Sequence, residues 1–181
     1  MIKKSNTNLS ELKNIHEGQS GYLLGKGPSV GLLDEYRMHR PVIAINEAGL
    51  LPVADYVVCR ENSRQSYLAQ HNCKAKKIYK YLGLNNIEAD YHYEEFLGFT
   101  PATEVSDLLW HMGTMLTSAF WLMKYMGFTR IHAHGLDGIG GTHFLFPQIE
   151  KSSGKFLRSR AHVINTAAWY DIKLTLNTYE R

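Results

Sequence analysis

Three short stretches carry residues whose types and spacing suit chemistry. Tyr22-Leu23-Leu24 runs into Gly25-Lys26-Gly27-Pro28-Ser29, a tight turn with one cation and two glycines that permit close backbone approach. With Ser29 as the N-cap of a helix over Val30 to Tyr36, the N–H groups of the first turn would attract an anion. The spacing leaves a phosphate cradle and an empty glycine turn equally open. It excludes the dinucleotide fingerprint, because Gly31 comes one residue late, and the Walker A loop, because Gly27 follows Lys26. The second stretch is His134 to Phe144, where Asp137 and His143 flank Gly138, Gly140 and Gly141. That carboxylate and imidazole could share a metal or exchange protons. Asp137 could equally cap the turn through backbone hydrogen bonds. The third is His162 among Arg158, Arg160 and Asn165, either a phosphate-holding basic set or a solvated helix start. His132 and His134 alternate, so they share one strand face; with no third ligand at fixed spacing they read as packed histidines.

The elements around these stretches predict how they are positioned. Short apolar runs at 22–24, 41–45, 55–59, 75–81 and 130–134 read as strands, several of them apolar on both faces as buried parallel strands are. Glu104 to Met126 reads as one long buried helix ended at Gly127, with His111 inside it, and Arg160 to Thr178 as a final amphipathic helix. Residues 1–18 read as an N-terminal arm or short helix, and residues 83–103, aromatic without a clear period, as a long loop or lid. Strands alternating with helices imply one α/β domain over 1–181, a three-layer α/β/α sandwich on a mostly parallel sheet. In such a sheet ligands bind at the carboxyl ends of the strands. The loops at 25–29, 46–49 and 135–143 are expected to share that edge.

Composition narrows the function classes. A formal charge of +3 suits an anionic small molecule and is too weak to argue for nucleic acid. Cys59 and Cys73 form no CxxC pair, which removes a zinc ribbon or redox motif and suits a reducing cytoplasm. The N-terminal MIKKSNTNLS has no apolar signal core, and His111 and Lys124 interrupt the most apolar long segment, so no membrane span is expected. Homo-oligomerisation is left open.

The order Gly25-Lys26-Gly27-Pro28-Ser29, Ile45-Asn46-Glu47-Ala48, Leu116-Thr117-Ser118-Ala119 and Gly135-Leu136-Asp137 resembles a Rossmann-like group across residues 20–175. One branch of that group is the bacterial CMP-sialic-acid-dependent sialyltransferases. The other is the 6-hydroxymethylpterin diphosphokinase family, which also holds many bacterial and phage proteins. The first branch implies Gly25, Lys26, Gly27, Pro28 and Ser29 around the nucleotide phosphate and ribose. It also implies Asn46 and Asn62 facing nucleotide or sugar, and Thr117, Ser118 and Asp137 at the same pocket. His143 or His162 would then serve as general base or phosphate contact. The chain departs from that branch at Met115, where an arginine is usual, in lacking two tyrosines after Asp137, and at Thr166, near the usual base. The second branch implies Mg²⁺ held by Asp137, with His143 on phosphate and Glu61 in place of an aspartate. The resemblance therefore implies a transferase using a nucleotide-activated donor and an unidentified acceptor, with no cofactor for glycosyl transfer. A Mg²⁺/ATP diphosphokinase and a non-catalytic nucleotide-binding protein are the alternatives.

Overall fold

The structure, a computed structural model, describes residues 9–33, 41–83, 87–97, 108–111, 114–136, 161, 163–165, 167–168 and 171–176. Among the described residues, eight strands appear in chain order: β1 (Ser20–Leu24), β2 (Val42–Ile45), β3 (Tyr56–Cys59), β4 (Lys76–Lys80), β5 (Tyr91–Leu97), β6 (Leu108–His111), β7 (Arg130–His134) and β8 (Lys173–Leu176). They form one sheet in the order β6-β5-β4-β3-β2-β1-β7-β8, every pairing parallel. The chain builds outward from β1 to β6, then returns to the far side of β1 as β7. The α/β class with a parallel sheet is as the sequence implies. Its direction reverses between β1 and β7, and crevices outside the carboxyl ends at such reversals are where α/β sheets hold ligands.

Helix α1 (Asn62–Gln70) follows β3, and helix α2 (Met115–Tyr125) lies between β6 and β7. Alternate strand residues feed two apolar clusters. Leu23, Ile43, Val58, Ile78, Tyr93 and Ile131 pack with Phe120, Trp121 and Leu122 of α2. Leu24, Ala44, Val57, Cys59 and Tyr79 pack with Leu68 of α1. Each large apolar side chain fully buried this way contributes roughly 1.5–3 kcal/mol. α2 stops where expected: the Gly127 N–H donates to Lys124 O at 3.0 Å and the Phe128 N–H to Met123 O at 3.1 Å. This paired closure needs the positive φ of 91° that Gly127 adopts.

Three expectations are corrected. Glu104 to Met126 is not one helix, since β6 occupies Leu108–His111 and α2 begins at Met115. Leu108-Leu109-Trp110-His111 is a short apolar run that periodicity alone cannot tell from buried helix. The final helix is shorter than expected, because 161, 163–165 and 167–168 are helical while Lys173–Leu176 is β8. The 83–103 loop or lid contains β5 at Tyr91–Leu97, a strand inside the sheet. Of the N-terminal arm, Leu9–Leu12 is a 3-10 turn with both leucines buried. Residues 84–86 and 98–107 lie outside the described residues.

Candidate anion site at the carboxyl edge of the sheet

Where β1 and β7 end, their exits are bolted together. The Gly25 N–H donates to His134 O at 2.7 Å, and the Gly27 N–H to Gly135 O at 3.0 Å. The Gly135 N–H donates to Ser29 Oγ at 2.7 Å, and Ser29 is fully buried. A Cβ on Gly135, whose φ is 74°, would come within 2.7 Å of Gly25 C. A Cβ on Gly25 would stand on the Gly135 carbonyl. The two glycines let the strand exits touch. Ser29 accordingly does not cap a helix: Gly27 is the N-cap of a 3-10 turn at Pro28–Leu32, without a side-chain cap bond. Of the two readings left open for this loop, a phosphate cradle would be short of two amides, which are engaged with β7 and its exit. Residues 34–40 lie outside the described residues.

Charge gathers next to this junction. Lys26 Nζ donates to Glu47 Oε2 at 2.9 Å. The other Glu47 oxygen accepts from Arg64 Nη1 of α1, and Arg64 Nε also lies 3.6 Å from the exposed Glu61. Glu47 sits at 0% exposure in the 3-10 turn Asn46–Leu50 that follows β2. A buried carboxylate thus ties the loop after β1 to the first helix on the opposite cluster. Asn46 is held at φ 51°, and its Oδ1 is buried with no hydrogen-bond partner among the described residues. Asn62 is exposed at the start of α1. Loops 25–29 and 46–49 therefore share one edge, as anticipated, with Asn62 at the start of α1 after β3; of loop 135–143 only Gly135 and Leu136 are described. Glu47 and Arg64, which organise them, were missed; nothing local marks a glutamate whose partners are 21 and 17 residues away.

A second cluster occupies the same edge toward β6. Lys80 Nζ lies 2.6 Å from Glu95 Oε2, and Arg60 Nε 3.1 Å from the same carboxylate, whose side chain is 3% exposed. His111 Nδ1 is 3.7 Å from Glu95 Oε1 and 3.0 Å from Ser118 Oγ. Because serine and glutamate face the same ring nitrogen, this is not a proton relay of the Ser-His-acid kind, which needs one partner on each nitrogen. Thr117 Oγ1 donates to Thr114 O at 2.8 Å within its own helix. Thr117 and Ser118 are both buried at α2, so they reach the described edge through Thr114 and His111 rather than as open side chains.

His132 and His134 pack as expected. His132 lies 5.3 Å from the Tyr22 ring, and His134 Nδ1 is 3.4 Å from Ser29 O. Burial lowers the His132 pKa, with Arg130 adding to the effect. Among the described residues no group of three His, Cys, Asp or Glu side chains converges as a metal site. Both thiols are buried: Cys59 donates to Glu61 O and Cys73 to Gly49 O, and burial pushes the Cys59 thiol up to about 12. Asp137, His143 and His162 lie outside the described residues. No described helix is long and apolar enough to cross a membrane.

The opposite, amino edge holds an open cavity of about 520 Å³ lined by His16, Gln19, Pro41, Asp55, Tyr56 and Lys76. His16 Nε2 is 3.3 Å from Tyr56 Oη, and Lys76 Nζ stands 5.7 Å over the Tyr56 ring. Burial lowers the His16 pKa, partly opposed by Gln19 and Asp55. This cavity and the buried ion pairs therefore sit at opposite ends of the sheet. The buried ion pairs and the strand-order reversal mark the carboxyl edge as the candidate site. No family model, no curated protein and no solved structure matches this chain.

Proposed function

We propose that the chain is a transferase using a nucleotide-activated donor, with a small sialyltransferase-like glycosyltransferase as the first reading. The observation that carries it is the Lys26–Glu47–Arg64 cluster, two cations on one buried carboxylate beside the β1/β7 reversal. The donor phosphate would lie against those cations, and the unpartnered Asn46 Oδ1 would accept a ribose or sugar hydroxyl, with Asn62 alongside. Cations fixed before the reaction stabilise a departing phosphate without reorganisation cost, usually the largest electrostatic contribution to such a transfer. Lys26 and Arg64 are held in this way by Glu47.

Proton transfer and phosphate contact would fall to His143 or His162, with Asp137 beside them. Mg²⁺ belongs only to the diphosphokinase reading, where Asp137 would hold it; Glu47 and Glu95 already neutralise cations and do not offer a metal cage. A thermal-shift screen across CMP, UMP, GDP and ATP, with and without Mg²⁺, followed by turnover assays, tests the proposal. Metal-free transfer or hydrolysis of a CMP-sugar supports it. Mg²⁺-dependent ATP turnover would replace it with pyrophosphoryl transfer, and nucleotide binding without turnover would leave a binding protein.

A further inference from the structure

We infer that Arg60 and Lys80, gathered on the buried Glu95 carboxylate, form a second oxyanion subsite on the carboxyl edge, one that takes the acidic group of the acceptor. The assignment to an acceptor rests on the transferase reading; the anion site itself does not. Two partly exposed cations on one buried carboxylate leave a surplus positive charge that an anion can reach from solvent. A guanidinium carries five N–H donors and an ammonium three. Glu95 engages Arg60 through Nε and Lys80 through Nζ, while the two side chains stay 38% and 26% exposed.

The backbone under these cations is fastened as well. The Gln65 Nε2 amide, fully buried on α1, donates to Arg60 O and to Lys80 O, each at 3.2 Å. One side chain thus bridges the two main chains while Glu95 bridges the two side chains. Glu95 Oε1 lies 3.1 Å from Arg60 Nε and 3.7 Å from His111 Nδ1.

The test is calorimetric titration of the full chain with inorganic phosphate and with malonate at low salt, in the wild type and in Arg60→Gln, Lys80→Gln and Lys26→Gln. Arg60→Gln and Lys80→Gln should each weaken the better-bound probe about tenfold, the loss expected for one charged hydrogen bond. CMP affinity should stay within about twofold in both, and fall in Lys26→Gln. Probe affinity unchanged in both variants overturns the subsite. If Lys80→Gln does not fold, amide NMR of the wild type replaces it: phosphate should shift Arg60, Lys80 and Glu95, and no shift there is equally fatal. Probe binding that depends on Arg60 with no nucleotide binding at all would sink the transferase reading alone. The preferred probe tells a phosphorylated acceptor from a carboxylic one.

Discussion

The two edges of the sheet solve opposite problems. At the amino edge, His16, Asp55, Tyr56 and Lys76 border about 520 Å³ of open space, with His16 on the Tyr56 hydroxyl and Lys76 over the Tyr56 ring. At the carboxyl edge, Glu47 and Glu95 are buried, and each collects two cations from different elements. Taking a carboxylate out of water costs several kcal/mol, and pairing rarely returns more than that. Doing so twice along one edge contributes little to stability. It does fix four cations where an α/β sheet presents its ligand. The difference is that the amino edge offers space, whereas the carboxyl edge offers cations fixed on buried carboxylates.

The largest expected effect breaks that contrast by removing one central carboxylate. Glu47→Leu removes the buried carboxylate that Lys26 and Arg64 share and should lower unfolding free energy by about 3 kcal/mol. Lys76→Met at the amino edge should stay within about 0.5 kcal/mol. Urea denaturation of the two variants reads the difference directly, and equal losses would erase it. Next, Gly25→Ala forces a methyl onto the Gly135 carbonyl, backbone that cannot yield, and should cost roughly 2–3 kcal/mol by the same measurement. A neutral result would mean that the β1 and β7 exits are not locked together.

How much of this was legible is clearest at particular strands. β2 and β3 are buried at every residue, so their short apolar runs announced parallel strands. β5 has no such run: Tyr93 is buried, but Glu95 on the same face carries charge inward, and Phe96 and Leu97 face out. A buried carboxylate supplied by distant cations erases the alternation that would reveal a strand. That is why the second cluster hid inside a segment read as a lid. β8 alternates exposed and half-buried residues over only Lys173–Leu176, too short to separate from the helical pattern before it. The loops at 25–29 and 46–49 were readable because glycine, proline and asparagine mark strand exits locally, whereas Asn62 came only from the resemblance. Their organiser, Glu47, is defined only by long-range contact.

Smaller effects sharpen the account. Native Cys59 should resist a thiol reagent at pH 8 and react only on unfolding, because burial raises its pKa to about 12. Rapid native labelling would contradict the packing behind β3. Smallest is the pH effect at the cavity. The folded state lowers the His16 pKa, so the unfolded chain binds the proton more readily. Stability contributed by neutral His16 is present above the ordinary histidine value and is lost as pH falls toward the lowered one. Thermal melts between pH 7.5 and 5 should therefore lose slightly less stability in His16→Gln than in the wild type; a larger loss in the variant would reverse the sign.

The most direct test is to add CMP to ¹⁵N-labelled protein and map the amide shifts. The account predicts shifts concentrated at Lys26, Asn46, Asn62 and Arg64, with Gln19, Tyr56 and Lys76 unmoved. Shifts confined to Gln19, Tyr56 and Lys76 would place the ligand at the wrong end of the sheet and contradict it.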